Sequence, residues 1–95
     1  MPNGPYRASA YAGRGMSFSR RARCEEAIAD LTQSLRIDPN PPKHEVEVGI
    51  HFHLGRCLLM EGHRQHAKDH YQIACNLGNR YACQALQSPR LKNLK

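Results

Sequence analysis

Six histidines and four cysteines are the side chains of this 95-residue chain best suited to binding a metal ion. His63, His66 and His70 fall at i, i+3 and i+7 of a predicted helix, and the spacing of the last two suits a pair of zinc ligands. No Asp, Glu or Cys completes that face at the right offset. His53 and Cys57 form a weaker pair, because Cys57 is expected to point into the protein. Scattered surface histidines explain the pattern better, so we predict no metal and no other cofactor.

Residue patterns typical of catalysis are missing from the chain. It has no glycine-rich phosphate-binding loop, no nucleophile elbow and no paired carboxylates in a context that suggests a pocket. A Cys–His dyad can be assembled by chance from so many residues of both types. We therefore predict that the protein is not an enzyme.

Arginine is concentrated near the end of the first predicted helix and in the turn that follows. The basic cluster consists of Arg14, Arg20, Arg21 and Arg23. In a chain with a formal charge of +6 it could bind phosphates, and such binding would weaken steeply with salt. Alternatively, these arginines pair with Glu25, Glu26 or a neighbouring helix, and no aromatic–basic pattern of an RNA-binding module accompanies them. A scaffold for nucleic acid or another polyanion is therefore our second hypothesis.

The cysteines and the apolar segments bear on the compartment. All four cysteines lie in helical patterns, which predicts buried thiols rather than a disulfide scaffold. No run of 18 apolar residues is present, and residues 1–15 lack the apolar core of a secretory signal. We predict a cytoplasmic protein that does not insert into a membrane.

The elements that would position these side chains begin with a helical hairpin that ends at Pro39. Gly15 in its first helix and Ala27 in its second lack bulk, so the two backbones can approach closely there. Apolar residues recur around them at helical spacing, namely Tyr11, Phe18, Ile28, Leu31, Leu35 and Ile37. Proline then ends the second helix. We predict a flexible lead over 1–6 and helices over about 7–19 and 24–37.

The same landmarks return further along the chain. Gly55 repeats Gly15 and Ala67 repeats Ala27, with the alanine 12 positions after the glycine both times and a period of 40. His51 occupies the position of Tyr11, which predicts a core aromatic substitute. Further matching positions of this second unit are Leu54, Leu58, Tyr71 and Ala74. We predict helices over about 43–61 and 64–77.

After the second hairpin, Gly78 is typical of the residue that follows a helix, and Asn79 of an N-cap. A fifth helix over about 80–87 would present Tyr81, Ala82, Ala85 and Leu86 as an apolar stripe. Ser88 and Pro89 would end it, and the basic tail over 88–95 would be frayed.

The first stretch resembles the tetratricopeptide repeat (TPR), a helical hairpin patterned W-x2-L-G-x2-Y…A-x3-F…P. Tyr11, Gly15 and Phe18 match its first helix, with Arg14 departing where leucine is usual. Residues Ala27, Leu31 and Pro39 match its second helix and its end. The resemblance implies an all-α domain over 7–87, made of hairpins over 7–39 and 42–78 and a capping helix over 79–87. Together they would form a short right-handed α-solenoid.

In TPR proteins, the first helix of each pair lines a concave groove that holds a peptide. The resemblance therefore implies a non-enzymatic adaptor that binds a protein segment in such a groove. The groove residues would be Ser9, Ala12, Met16, Ser19, Phe52, His53, Arg56, Leu59 and Met60. Two repeats bury little of their own ends, so a homo-oligomer, or a self-assembling structural subunit, is a further hypothesis.

Residues 67–86 also resemble the related SEL-like repeat. In its cysteine-rich secreted members, two cysteines eight residues apart bridge neighbouring hairpins, and Cys75 and Cys83 have that spacing. Buried thiols remain the preferred interpretation here, since the other two cysteines do not repeat the spacing.

Overall fold

A computed structural model describes residues 5–93 of the chain, and the helices and turns of that segment contain no β-strand. Six helices follow one another and pack in pairs. They are α1 (Pro5–Arg20), α2 (Cys24–Ile37), α3 (His44–Met60), α4 (Arg64–Asn76), α5 (Arg80–Ala85) and α6 (Pro89–Lys92). The all-helical prediction is confirmed. Of the flexible lead predicted over 1–6, residues 1–4 lie outside the described segment, and α1 already begins at Pro5. None of these helices has the length and apolar character that crossing a bilayer requires.

The boundaries of α2 and α3 follow from the prolines between them. α2 ends at Ile37, and Asp38 takes an extended conformation (φ −138°, ψ 92°) because the ring of the following Pro39 disfavours helical geometry there. The Asp38 N–H still donates to the Ser34 carbonyl at 2.9 Å, which satisfies one carbonyl of the last turn. The next helix begins two residues after Pro42, with Glu45 and Glu47 in a first turn whose dipole favours negative charge.

The two hairpins repeat the same turn 40 residues apart. In the first, the Arg23 N–H donates to the Phe18 carbonyl, and in the second the His63 N–H donates to the Leu58 carbonyl, both at 2.9 Å. Each turn needs one residue in the left-handed region. The second turn uses Gly62 (φ 86°), but the first places Ala22 there (φ 63°), where its Cβ is unfavourable.

One glycine in each hairpin allows its two helices to pack in close contact. A Cβ at Gly15 would lie 2.7 Å from Cγ of Leu31, and a Cβ at Gly55 would lie 3.0 Å from the ring of Tyr71. The alanines that repeat with the same spacing, Ala27 and Ala67, are fully buried. The prediction of close helix approach at these positions is confirmed.

The two hairpins are joined because α3 packs on α1 as well as on α2. The contact with α1 centres on Gly49, where a Cβ would lie 2.9 Å from Cε of Met16. Beside it, one core cluster draws on both hairpins through Ala12, Leu31, Ile50 and Leu54. This apolar seam, rather than an open groove, connects the first helices of the two pairs.

The last two helices cover the outer end of α4. Gly78 follows that helix with a positive φ (106°), and the Asn79 side chain accepts the Ala82 N–H at 2.8 Å, as the predicted cap requires. The prediction of a frayed tail after Ser88 is wrong as far as the structure describes it. Pro89 begins α6 instead of ending a helix, since proline suits the first turn, and Leu91 is fully buried against α4.

All four cysteines are paired, so the prediction of buried thiols is wrong. The α2–α3 disulfide joins Cys24 to Cys57, and the α4–α5 disulfide joins Cys75 to Cys83. Sequence spacing could not show the first pair, because its members are 33 residues apart and meet only where α3 packs on α2. Their Cα atoms lie 5.0 Å apart, within the range that a disulfide spans.

Candidate functional site

A shallow depression lies on the surface of α3. It has a volume of about 380 Å³ and lies between the N-terminal half of α3 and the junction of α4 with α5. His44, Val48 and Phe52 line one side, and Leu77 and Gly78 line the other. We call this site the α3 depression. Its lining is mixed, with apolar surface from Val48, Phe52 and Leu77 and polar groups from Glu45, His53 and Asn79.

Two aromatic rings lie together near the α3 depression: Phe52 lines it, and Tyr81 lies beside Phe52. The ring of Phe52 packs edge-on against buried Tyr71, with centroids 6.1 Å apart. On its other side it meets Tyr81, with centroids 6.4 Å apart. Tyr81 is 72% exposed, although the sequence placed it in the apolar stripe of α5. The buried residue of that stripe is Ala82, and because neighbours on a helix point about 100° apart, Tyr81 faces outward.

The nine predicted groove residues differ in their exposure and position. His53 lines the α3 depression although it is only 9% exposed, whereas Ala12 and Ser19 are buried. The reason is the α1–α3 seam, which covers the face of α1 that was expected to line the groove. Met16 is half-buried against Gly49 in the same seam.

The remaining groove residues are scattered. Phe52 borders the α3 depression, whereas Ser9 is exposed at the far end of α1, beside a separate cavity of about 60 Å³. Leu59 is half-buried, and its carbonyl accepts a hydrogen bond from Arg90 at 3.2 Å. Arg56 is half-buried, and Met60 is exposed at the end of α3. The predicted residues therefore do not form one continuous groove.

Buried polar contacts hold α3 in register beneath the depression. The hydroxyl of Ser19 lies 2.8 Å from Nδ1 of His53, so one of the two atoms donates to the other. Burial, together with smaller effects of the positive charges of Arg20 and Arg56, lowers the pKa of His53 to about 4. Burial also raises the pKa of Tyr71. These two side chains are thus neutral near pH 7 and serve packing.

The basic cluster does not present four arginines for an anion. Arg14 donates to both carboxylate oxygens of Asp30, from Nε at 2.7 Å and from Nη2 at 2.9 Å, and this contact raises the arginine pKa. Arg23 pairs with Glu26 and lies 5.0 Å over the ring of Phe18. The predicted alternative of pairing with neighbouring residues thus holds for these two arginines.

The histidines assemble differently from the predicted stripe. Nδ1 of His51 lies 3.0 Å from Nδ1 of His70, with the rings nearly parallel and their centroids 5.2 Å apart. Burial lowers the pKa of both side chains. His63 and His66 are exposed, and Cys57 is excluded as a ligand because it is in a disulfide. Across residues 5–93, no group of three His, Cys, Asp or Glu side chains could hold a metal ion.

The role of His51 agrees with the sequence. It is buried at the position that Tyr11 holds in the first unit, as expected of a core aromatic substitute. Its contact with His70 was missed. The sequence signal for this contact was the position of His70 on α4, which faces α3 once the two helices pair.

No protein-family model, no curated protein and no solved structure matches this chain.

Proposed function

We propose that the protein is a TPR-like adaptor: a two-unit right-handed α-solenoid, capped by α5 and α6, that binds a segment of another protein. The repeated turns at Ala22 and Gly62 and the repeated close approaches at Gly15 and Gly55 support the repeat architecture. No catalytic constellation is apparent among the described side chains. A non-enzymatic role fits these features best.

The exposed ring of Tyr81 beside Phe52 is the observation that carries the proposal. Burying a large aromatic side chain is favourable, so the exposure of Tyr81 beside Phe52, which lines the α3 depression, favours a bound partner that covers it. An extended segment with one apolar side chain fits a depression of about 380 Å³ better than a folded surface would. The proposed partner would contact α3 and α5 rather than α1.

A displayed-peptide library panned against the full chain would test the site. Peptides recovered on the wild type should bind the Tyr81→Ala variant at least about tenfold more weakly, as expected when an aromatic anchor is removed. Ile73→Ala is the matched control, because Ile73 is also partly exposed (38%) but does not border the α3 depression. Equal losses for the two variants, or no loss for Tyr81→Ala, would show that peptides bind elsewhere.

The same peptide-library experiment also tests the polyanion hypothesis. Within the described residues, Arg20 and Arg21 are the members of the basic cluster that form no ion pair. Selection of only acidic peptides, with binding lost in the double variant Arg20→Gln/Arg21→Gln and in high salt, would favour that hypothesis over the α3 depression. Light scattering in the absence of peptide would address the self-assembling alternative.

We also propose a cellular compartment, because the disulfides do not fit the cytoplasmic location predicted from the sequence. Disulfides persist in oxidising environments and are rare in the cytosol. With all four cysteines paired, we propose an oxidising compartment in place of the cytoplasm predicted from sequence. Mass spectrometry of protein isolated from its native source, after blocking of free thiols, would detect any unpaired cysteine and decide between the two.

A further inference from the structure

We propose that α3 is a pH-sensitive helix, held by two buried histidine contacts, one with α4 and one with α1, that acidification weakens together. His51 and His53 are two residues apart on α3, so their side chains point about 200° apart around the helix. His51 contacts His70 of α4, and His53 contacts Ser19 of α1. The helix is therefore held on opposite sides by side chains whose charge changes in mildly acidic solution.

The contact between His51 and His70 requires that the pair not be fully protonated. Their Nδ1 atoms are 3.0 Å apart and their rings are nearly parallel. When both rings are neutral, the N–H of one Nδ1 donates to the lone pair of the other. When both are protonated, each Nδ1 carries a hydrogen, so no acceptor remains and the two positive charges repel each other at short range. A fully protonated pair has to separate, which weakens the packing of α3 on α4.

The charged groups around this pair do not remove the penalty. Burial is the largest cause of the lowered pKa of His51 and of His70. Asp69 favours the charged form of its neighbour His70, but one of its carboxylate oxygens already accepts a hydrogen bond from Gln65 at 3.1 Å. His66, on the preceding turn of α4, disfavours the charged form. The net result is still a pKa for His70 below its ordinary value.

The second contact lies in the seam between α1 and α3. His53 is only 9% exposed, and its Nδ1 lies 2.8 Å from the hydroxyl of Ser19. A protonated imidazole can still donate to that hydroxyl, but its charge would be buried. The charged groups that act on it, Arg20 of α1 and Arg56 of α3, are both positive. α2 also packs on α3, but the α2–α3 disulfide that joins them carries no charge. Protonation of His53 is therefore unfavourable in the folded protein.

The sign of the pH dependence follows from the lowered pKa values. A histidine in an unfolded chain has a pKa of about 6.5, whereas His53 in the folded protein has a pKa of about 4. Between these values the unfolded chain binds the proton and the folded protein does not, so stability is lost as the pH falls from 6.5 toward 4. Between pH 7 and pH 5, His53 alone should lower the equilibrium constant for folding by about 20-fold. The His51–His70 pair should lower it further.

The α3 depression lies on the same helix, and Phe52 and His53 both line it. Acidification would therefore also weaken the binding of a partner there. This consequence rests on the proposed function, whereas the loss of stability needs no partner.

Urea denaturation at pH 7 and at pH 5, with the disulfides intact and no peptide present, would test the proposal. We expect the equilibrium constant for folding of the wild type to fall by at least about 20-fold. His53→Asn retains a polar group for Ser19 but does not titrate, so its equilibrium constant should fall about 20-fold less than that of the wild type. His70→Gln should also be less sensitive to pH than the wild type.

His63→Gln is the matched control, because His63 is exposed immediately before α4 and lies outside both contacts. Its pH dependence should equal that of the wild type. An unchanged folding constant of the wild type between the two pH values, or the same pH dependence in all three variants, would overturn the proposal.

Nuclear magnetic resonance of the wild-type protein provides a readout that needs no variant. The imidazole C–H signals of His53 should titrate with a midpoint near pH 4, as its pKa of about 4 requires, and those of His51 and His70 below pH 6.5. Midpoints at or above pH 6.5 for His53 or for the pair would overturn the proposal. A peptide affinity that does not change with pH, beside a stability that does, would overturn only the link to the α3 depression.

Discussion

Substituting alanine for the glycines of α1 would separate the effect of helix propensity on stability from the effect of helix packing. Gly13 and Gly15 are two positions apart on α1. A Cβ at Gly13 meets nothing within 4 Å, but one at Gly15 would lie 2.7 Å from Cγ and 2.8 Å from Cδ2 of Leu31. Leu31 is fully buried and cannot withdraw without disturbing the core.

The expected magnitudes follow from these distances. Gly13→Ala should stabilise the protein by about 0.5–1 kcal/mol, because alanine loses less backbone entropy than glycine in a helix. Gly15→Ala gains the same term but overpacks the core at a cost of about 1–3 kcal/mol, which leaves a net loss of about 0.5–2 kcal/mol. The difference between the two variants therefore isolates the overlap with Leu31.

Urea denaturation followed by circular dichroism, with the disulfides intact, would measure both free energies of unfolding. Gly49→Ala is an intermediate case, because its Cβ would meet only the flexible end of Met16, at 2.9 Å, and a small net change is expected. In a Leu31→Ala background, Gly15→Ala should lose most of its penalty. An equal gain for Gly13→Ala and Gly15→Ala would refute the close approach of α1 and α2.

Three further predictions concern the turns, the disulfides and the C-terminal helix. Ala22→Gly should stabilise the protein by up to about 1 kcal/mol and Gly62→Ala should destabilise it by about 1 kcal/mol, because both positions require a left-handed conformation. Denaturation curves in which both variants change the free energy of unfolding in the same direction would contradict this prediction. Replacing both cysteines of the α2–α3 disulfide by alanine should lower the free energy of unfolding by about 3.7 kcal/mol, and the same replacement in the α4–α5 disulfide should lower it by about 2.5 kcal/mol. The first cost is larger because the longer loop constrains the unfolded chain more. The reverse order of the two variants in thermal unfolding would contradict this explanation. Leu91→Ala should cost about 2–5 kcal/mol, whereas exposed Lys92→Ala should change the free energy of unfolding little; equal effects would mean that α6 is not packed on α4.

Much of the helical fold was predictable because its signals are local. The predicted bounds of α2 match the structure, and those of α3 and α4 are within one residue at each end. These boundaries depend on Pro39, Gly62 and Gly78, which act on the backbone at their own positions. The small residues Gly15 and Gly55 predicted close helix contacts for an equally direct reason, since only the missing Cβ permits them.

The candidate site was predicted less well because exposure depends on how the hairpins pack together. Phe52 was identified from its position on α3, but Tyr81 was not, because its exposure is set by the rotation of the short helix α5 on α4. The buried positions of Ala12 and Ser19 likewise follow from the contact of α3 with α1. Nothing in their local sequence distinguishes a covered face from an open one.

The sequence by itself determined helices α2 to α4, their ends and the 40-residue repeat, since periodicity, proline and glycine act over a few neighbouring residues. Only the tertiary structure decided which distant side chains meet. The pairing of Cys24 with Cys57 and the contact of His51 with His70 each join residues on different helices. Such contacts depend on the rotation and offset of one helix against another, which are set by the whole packed core and not by any short stretch of sequence.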